Sequence, residues 1–333
     1  MTQRPVQLTY AGGLYDRTAA LFDGRVRPEG VDLNFVALRP SEVFWRMLKF
    51  QEFEVSELSC ANYFVLRSRS ETPYIAIPVF PSRSFRHSAI YVNPASGIRE
   101  PADLKGKRVG CAEYAMTMAV WVRALLLHEY GVSPSDFTWV TGGLEEPGRG
   151  DRIPTTPPPG VRVEPAPPDQ ALVPMLERRY LDALFSPGTP STFRSGSPNI
   201  CRLFPDFPRV EAEYYRKTHL FPIMHTVVIR RDVYERLPWA AVSLYKAFLQ
   251  ARDLAVDALL EADALAMSLA WSVSYMEQER ALRGADDLWS YGFEPNRHVL
   301  EALKSHLGEQ GLLENDFKIE DAFAPSTLSL SRL

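Results

Sequence analysis

Two arginines and a histidine close the apolar segment Ile77-Pro-Val-Phe-Pro-Ser-Arg-Ser-Phe-Arg-His87. Arg83 and His87 are four residues apart, so in an extended segment their side chains point to one face. Arg86 points to the other face unless the strand bulges or turns. A guanidinium suits a carboxylate, and an imidazole beside it can move a proton near neutral pH. These residues predict a site for an organic acid, with aromatic carboxylates the first class to consider. The alternative is a set of surface charges on a strand that leaves the core.

Three further candidates lie earlier in the chain. Arg17 falls in the first turn of a predicted helix, where a cation opposes the helix dipole, so we expect it to bind an anionic ligand. Glu57 and Ser59 end a predicted strand, and Glu57 could orient an imidazole or accept a hydroxyl proton. The alternatives are a surface role for Arg17 and, for the serine, capping of the next helix.

The segment Glu113-Tyr-Ala-Met-Thr117 opens another predicted helix. The free N–H groups of a helix start can bind an anion, with the Thr117 hydroxyl and the Tyr114 phenol beside them. Ordinary helix capping is the alternative.

His225 lies in a predicted strand over residues 221–229, on the face that also carries Ile223, Val227 and Ile229. Like His87, it lies near a predicted crossing between two lobes, which favours both histidines facing a ligand cleft. We expect the other histidines to be solvated or satisfied by neighbours: His128, His219, His298 and His306.

The elements that must position these residues alternate between strands and helices. In the first 90 residues the pattern predicts strands at 6–11, 31–38, 53–58 and 74–80, with helices at 16–22, from Ser41 and at 61–67. It then predicts a turn and a strand within 103–111 and strands at 137–140 and 181–186. Helices are predicted at about 115–130, at 172–178, from 238 to about 282, and from Asn296, as helix cap, to about Gly308. Residues 147–168 carry eight prolines and predict an irregular surface loop.

This alternation predicts an α/β protein with largely parallel sheets. A chain of 333 residues suggests two lobes, and two α/β lobes joined by crossing strands fit the type II periplasmic-binding-protein architecture. We predict one discontinuous lobe from residues 1–92 and 225–333 and a second from residues 93–224. The ligand cleft is expected between the lobes, at strand carboxyl ends and helix amino ends.

Charge and composition indicate which binding partners and which cell compartment to expect. The net charge of −4 and the pI of about 5.9 give no reason to expect nucleic acid or an anionic membrane. Cys60, Cys111 and Cys201 are widely spaced and form no CxxC pair, which predicts buried thiols in a reducing compartment. The first residues form no apolar signal segment, and no 18-residue apolar run occurs, so we expect a cytoplasmic protein.

Several common enzyme motifs are missing from the sequence, which argues against nucleotide cofactors. It contains no GxGxxG after the first strand, no Walker motif and no GxSxG motif. The histidines have no tight metal-ligand spacing. The sequence therefore predicts no cofactor and no metal site, and leaves arginines, histidines, a glutamate and hydroxyls as the chemical groups.

These residues also carry a family resemblance. The chain resembles 4,5-dihydroxyphthalate decarboxylases over nearly its whole length. The segments that carry the resemblance are Tyr15-Asp-Arg-Thr18, Asp23-Gly-Arg-Val26, Val55-Ser-Glu-Leu-Ser59, Ile77-Pro-Val-Phe-Pro-Ser-Arg83, Phe85-Arg-His87, Trp121, Glu129-Tyr-Gly-Val132, Phe221-Pro-Ile-Met-His225, Tyr291-Gly, Asn296-Arg297 and Glu309-Gln-Gly-Leu312. The proline-rich loop at 147–168 and Glu177-Arg-Arg-Tyr180 are less typical and leave the substrate open.

The resemblance implies a lyase that removes one carboxylate from a dihydroxylated aromatic diacid and gives protocatechuate. Such an enzyme must hold the retained carboxylate, for which Arg17, Arg83 and Arg86 are candidates. It must protonate the ring carbon, for which we expect His87 first and His225 second. Glu57 or the other histidine could then polarise the phenol.

Two other functions stay open at this point. A solute-binding protein of the transport type would use the same arginines to hold an organic anion, although a signal segment would be expected in it. Another lyase of the same fold could act on a differently substituted acid. The partner is in each case a small carboxylate, and the sequence leaves open whether the chain forms a homo-oligomer.

Overall fold

A computed structural model describes residues 4–69, 72–148, 151–284 and 288–330. The chain divides into two compact units. The first comprises Met1–Arg83, His225–Glu301 and Asp316–Leu333, and the second comprises Ser84–Met224 and Ala302–Asn315. The predicted domain ranges, 1–92 with 225–333 and 93–224, stay a prediction.

Strands and helices alternate along most of the chain. The strands are β1 (Val6–Gly12), β2 (Val31–Ala37), β3 (Val55–Ser59), β4 (Tyr74–Arg83), β5 (Ile90–Val92), β6 (Arg108–Cys111), β7 (Thr138–Thr141), β8 (Arg162–Pro165), β9 (Ala183–Phe185), β10 (Cys201–Arg202) and β11 (Ile223–Arg230). The helices are α1 (Asp16–Phe22), α2 (Pro40–Phe50), α3 (Cys60–Ser68), α4 (Thr117–Tyr130), α5 (Leu172–Glu177), α6 (Ser191–Arg194), α7 (Phe207–Thr218), α8 (Arg231–Arg236), α9 (Ala240–Leu260), α10 (Ser272–Arg283) and α11 (Phe293–Glu309).

The first unit is built on a sheet with the strand order β2-β1-β3-β11-β4. Strand β1 runs parallel to β2 and β3, whereas β11 runs antiparallel to β3. The carboxyl ends of β1 and β3 and the amino end of β11 therefore lie side by side, at the same end of the strands. Glu57, Ser59 and His225 lie at this end of the sheet.

The second unit is built on a sheet with the order β10-β5-β9-β6-β7-β8. Strand β6 is parallel to β7 and β9, and β5 is antiparallel to β9 and β10. One side of this sheet packs on α5 through a buried apolar cluster that includes Tyr91, Leu176 and Leu184. The α/β architecture predicted from the sequence is confirmed, and both sheets also contain antiparallel strands.

The segment from Arg83 to His87 differs from the prediction. Strand β4 ends at Arg83, and His87–Ala89 is a turn of 3-10 helix. The Ala89 N–H donates to the Arg86 carbonyl at 3.2 Å, which closes the chain into a tight turn. The prediction of an extended segment with Arg83 and His87 on one face is therefore wrong.

Three further local predictions are corrected. Residues 162–165 of the proline-rich loop form β8, an edge strand parallel to β7, where a terminal proline costs no ladder hydrogen bond. The predicted 238–282 helix is broken between Leu260 and Ser272, since the intervening residues are exposed and lack packing to hold a helix. Asn296 lies inside α11, and its side-chain amide donates to the Gly292 carbonyl at 2.9 Å instead of capping the helix.

Among the described residues, no helix combines the length and the apolar character needed to cross a membrane.

Candidate active site

The Glu57 carboxylate is the centre of a hydrogen-bonded group in the first unit. Glu57 is fully buried near the end of β3. Its Oε1 accepts from the Tyr15 phenol at 2.8 Å and lies 2.6 Å from Nδ1 of His225, while its Oε2 accepts from the Gly13 N–H at 2.8 Å. The structure thus brings together two residues that the sequence predicted, Glu57 and His225.

Strand register explains why these two side chains meet. In the antiparallel pair of β3 and β11, His225 lies opposite Ser59, and Val227 lies opposite Glu57. Directly opposed residues share a face of the sheet, so Glu57 and His225 are diagonal neighbours on the same face. The Phe44 ring contacts the His225 ring edge to face, with centroids 4.8 Å apart, and limits its rotation.

The surroundings of Glu57 keep it ionised at neutral pH. Burial alone would raise the pKa of its carboxyl group. The positive charge and hydrogen bond of His225, together with the donors from Gly13 and Tyr15, outweigh burial and hold the pKa below its usual value. A buried carboxylate that accepts three hydrogen bonds is a fixed negative charge.

An ionised carboxylate can only accept hydrogen bonds, so Nδ1 of His225 carries the proton of this contact. The exchangeable position of the imidazole is then Nε2, on the opposite side of the ring. His225 is partly exposed, with 18% of its side chain accessible. The arrangement can therefore present an oriented acid or base to a ligand.

Glycine at position 13 leaves room for the Tyr15 ring. A Cβ placed on Gly13 would lie 2.5 Å from the Tyr15 ring, which folds back toward Glu57. The Thr18 hydroxyl accepts from the Tyr15 N–H at 2.9 Å and donates to the Gly13 carbonyl at 3.0 Å, and so fixes the turn that leads into α1. Gly13 and Tyr15 were not among the predicted site residues, although Tyr15 belongs to a segment that carries the family resemblance.

Arg17 lies in the first turn of α1, as the sequence predicted. Its guanidinium stacks on the rings of Tyr15 and Trp289, at 4.3 and 4.0 Å from their centroids. Its Nε donates to the Pro81 carbonyl at 2.6 Å and its Nη1 to Asp16 at 2.9 Å. These contacts engage Nε and Nη1, and Nη2 has no hydrogen bond among the described residues.

The other two predicted residues of the first unit have structural contacts. Arg83 is buried at the end of β4, and its Nη1 donates to the Ser290 carbonyl at 3.2 Å. The Ser59 hydroxyl accepts from the Asn62 N–H at 3.4 Å and caps α3, which is the capping role named as the alternative.

His87 is buried among aromatic rings in the second unit. Its ring centroid lies 5.2 Å from that of Phe204, 5.5 Å from that of Tyr214 and 6.3 Å from that of Tyr130. Burial lowers the pKa of His87 to about 4, so its imidazole is neutral at neutral pH. A neutral, enclosed imidazole is poorly suited to donate a proton.

Arg86 is also buried in the second unit. Burial lowers the pKa of its guanidinium to about 10, while the charge of Glu211 acts in the opposite direction, so Arg86 stays cationic at neutral pH. Its Nε lies 3.1 Å from the Met224 sulfur.

Tyr114 and Thr117 lie at the start of α4 in the second unit, and both are buried. The Arg123 guanidinium covers the Tyr114 ring at 3.9 Å and donates to the Tyr114 carbonyl at 2.8 Å. The Tyr114 hydroxyl is buried and has no hydrogen-bond partner among the described residues. Tyr114 therefore packs in the core of this unit.

Comparison with known proteins gives the family context. A family model described as "ABC transporter, phosphonate, periplasmic substrate-binding protein" matches residues 15–145. The chain is 40% identical to a 4,5-dihydroxyphthalate decarboxylase from Comamonas testosteroni, over 97% of this chain and 98% of that protein. It is 43% identical to a 4,5-dihydroxyphthalate decarboxylase from Pseudomonas putida, over 63% of this chain and 82% of that protein.

Solved structures show the same fold. The periplasmic aliphatic sulphonate binding protein SsuA from Escherichia coli aligns with a TM-score of 0.53 at 13% identity, over 98% of this chain and 100% of that one. The similarity in fold confirms the predicted periplasmic-binding-protein-like architecture. In this chain the Glu57–His225 pair lies at the strand ends of the first unit's sheet.

Proposed function

Because the chain belongs to the 4,5-dihydroxyphthalate decarboxylase family, we propose that it converts 4,5-dihydroxyphthalate to protocatechuate. The enzyme class is a carboxy-lyase. The substrate is carried over from the names of the two relatives, and the contact between Glu57 and His225 is the observation on this chain that supports the chemistry.

The reaction replaces a carboxylate on the ring with a proton. Direct loss of CO2 would leave an aryl carbanion, which is too unstable to form readily. A hydroxyl para to the departing carboxylate donates electrons to the ring, so the carbon that bears the carboxylate can take a proton first. The C–C bond then breaks, its electron pair restores the aromatic ring, and CO2 leaves.

We assign the proton delivery to His225. Its Nδ1 is held by the Glu57 carboxylate, which stabilises the protonated imidazole, and its Nε2 delivers the proton to the ring carbon. His87, the first choice from the sequence, is enclosed by aromatic rings and neutral at neutral pH, so we place the proton donor at His225 instead.

Arg17 is our candidate for holding the retained carboxylate. It lies on the ring of Tyr15, whose phenol contacts Glu57, and its stacking on Trp289 fixes the guanidinium plane. A fixed guanidinium holds a planar carboxylate with defined geometry, which keeps the reacting ring carbon in place. Substrate contacts from Arg83, Arg86, Ser59, Tyr114 and Thr117 stay predictions.

We further propose that the reaction needs no cofactor and takes place in the cytoplasm. The para hydroxyl donates the electrons that allow ring protonation, and the protonated ring then takes the electron pair of the breaking C–C bond, so no separate electron acceptor is needed, which supports the first proposal. The free, buried thiols of Cys60 and Cys111 suit a reducing compartment, which supports the second.

The direct test is to incubate the purified protein with 4,5-dihydroxyphthalate and to follow CO2 and protocatechuate. We expect the two products in equal amounts, with deuterium on the ring carbon of the product when the reaction is run in D2O. The fold is shared with solute-binding proteins, so tight binding of the diacid without turnover would instead identify a binding protein. Turnover of only a differently substituted acid would identify another lyase.

A further inference from the structure

Two imidazoles and a carboxylate converge in the second unit, away from the residues assigned to the reaction. The Nε2 of His128, on α4, lies 2.8 Å from Oε2 of Glu309, and the Nδ1 of His306 lies 3.6 Å from the same oxygen. One donor atom from each of the three side chains lies within 4.8 Å of the others. We propose that these residues bind a divalent first-row transition metal such as Zn²⁺.

The donor set matches that metal class. Two imidazole nitrogens and one carboxylate oxygen suit Zn²⁺ and its neighbours, whereas Mg²⁺ and Ca²⁺ prefer oxygen donors alone. Bonds of about 2.1 Å at tetrahedral angles place donor atoms about 3.4 Å apart. The two distances from the Glu309 oxygen, 2.8 and 3.6 Å, lie on either side of this value, and all three donor atoms lie within 4.8 Å of one another.

The strongest indication of a bound ion comes from the His306 ring. Its Nδ1 is buried and has no hydrogen-bond partner among the described residues, although it lies beside a carboxylate oxygen. Burial removes solvation from this nitrogen, and no hydrogen bond of normal length from the described part of the chain replaces it. A metal ion would satisfy it. The edge-to-face contact between the rings of Trp121 and His306, with centroids 5.3 Å apart, fixes this orientation.

Neighbouring contacts hold the two helical segments together around the site. Gln310 follows Glu309 and is buried, and its side chain accepts from Arg123 at 2.6 Å and donates to the Val120 carbonyl at 3.0 Å. The second Glu309 oxygen accepts from the Ser305 hydroxyl at 3.1 Å, which leaves Oε2 facing the imidazoles. Such outer contacts orient metal ligands before the metal arrives.

The open side of the site faces solvent. The side chains of His128 and Glu309 are 45% and 40% exposed, whereas His306 is 13% exposed. A metal can enter from this side and keep water as a further ligand. Since the ion would bind the folded chain and link α4 to residues 306–309, it would also raise the thermal stability of the protein.

The test is a zinc titration of the full-length, tag-free protein against a chromophoric chelator. We expect one Zn²⁺ per chain and a rise in melting temperature on binding. His128→Ala and His306→Ala should each weaken the affinity by at least about tenfold. His298→Ala is the matched control, because this histidine is exposed on α11 outside the cluster, and it should bind zinc as the wild type does.

A spectroscopic measurement separates ligation from unspecific association. Co²⁺ added in place of Zn²⁺ should give visible d–d absorption in the wild type and in His298→Ala, and none in the double variant His128→Ala/His306→Ala. Should His306→Ala fail to fold, the exposed His128→Ala variant carries the comparison. Absence of zinc binding in the wild type, or unchanged affinity in His128→Ala, would overturn the proposal.

Discussion

The Nδ1 atom of His225 lies 2.6 Å from Oε1 of Glu57, across two antiparallel strands whose register makes the residues diagonal neighbours. The carboxylate is fully buried and anchored by the Gly13 N–H and the Tyr15 phenol as well. The imidazole keeps one fixed hydrogen bond, and 18% of its side chain is exposed. This pair is the basis of the mechanism proposed for the chain.

Replacing Glu57 by glutamine should impair catalysis while preserving the shape of the side chain. Glu57→Gln removes the negative charge that stabilises the protonated His225, so we expect kcat to fall by about 10²–10⁴-fold. Circular dichroism and the melting temperature report whether the variant is folded. A folded variant that keeps the wild-type kcat would show that the carboxylate charge has no part in proton transfer.

Replacing Arg17 by lysine should weaken substrate binding more than it slows chemistry. Lysine cannot reproduce the planar, stacked guanidinium that lies on Tyr15 and Trp289, so we expect KM to rise by about tenfold or more. Steady-state kinetics with 4,5-dihydroxyphthalate measure the effect. Arg25→Lys is the matched control, because Arg25 pairs with Asp23 at the exposed end of the same segment. Equal KM values in the two variants would argue against a carboxylate contact at Arg17.

His87 should make the protein less stable in mild acid. Its pKa is lowered from 6.5 to about 4 by burial, so the unfolded chain binds more protons than the folded one between these values. The free energy of unfolding should therefore fall as the pH drops through this range, by about 2 kcal/mol between about pH 7 and about pH 5.

Urea unfolding of the wild type and of His87→Phe at the two pH values measures this contribution. Phenylalanine keeps a ring among Phe204, Tyr130 and Tyr214 and does not titrate, so the pH dependence of this variant should be smaller by that amount. Identical pH dependence in both proteins would show that His87 does not titrate as its burial implies.

Local sequence patterns predict the elements and the residues at their ends, but not the contacts between distant segments. The Gly12-Gly13 turn predicts the start of α1 and thereby places Arg17, and the buried strand before Ser59 places Glu57. The contact between Glu57 and His225 joins residues 168 positions apart, and it depends on the register of β3 with β11, which no local pattern specifies.

Because local patterns do not predict contacts between distant segments, two other features of the structure differ from the sequence prediction. Alternation of side chains predicts one extended face for Arg83 and His87, whereas the chain turns after β4 and buries His87 among aromatic rings that come from distant segments. His128 and Glu309 are 181 positions apart, so the spacing of histidines along the chain could not indicate their contact with His306.

The most direct test of the account is the rate of protocatechuate formation in a variant of His225. We expect His225→Gln to fold like the wild type and to lose about 10²–10⁴-fold in kcat, because it removes the group that delivers the proton to the ring carbon. His298→Ala, a substitution of an exposed histidine, should keep the wild-type rate. A folded His225→Gln variant that forms protocatechuate at the wild-type rate would contradict the central claim.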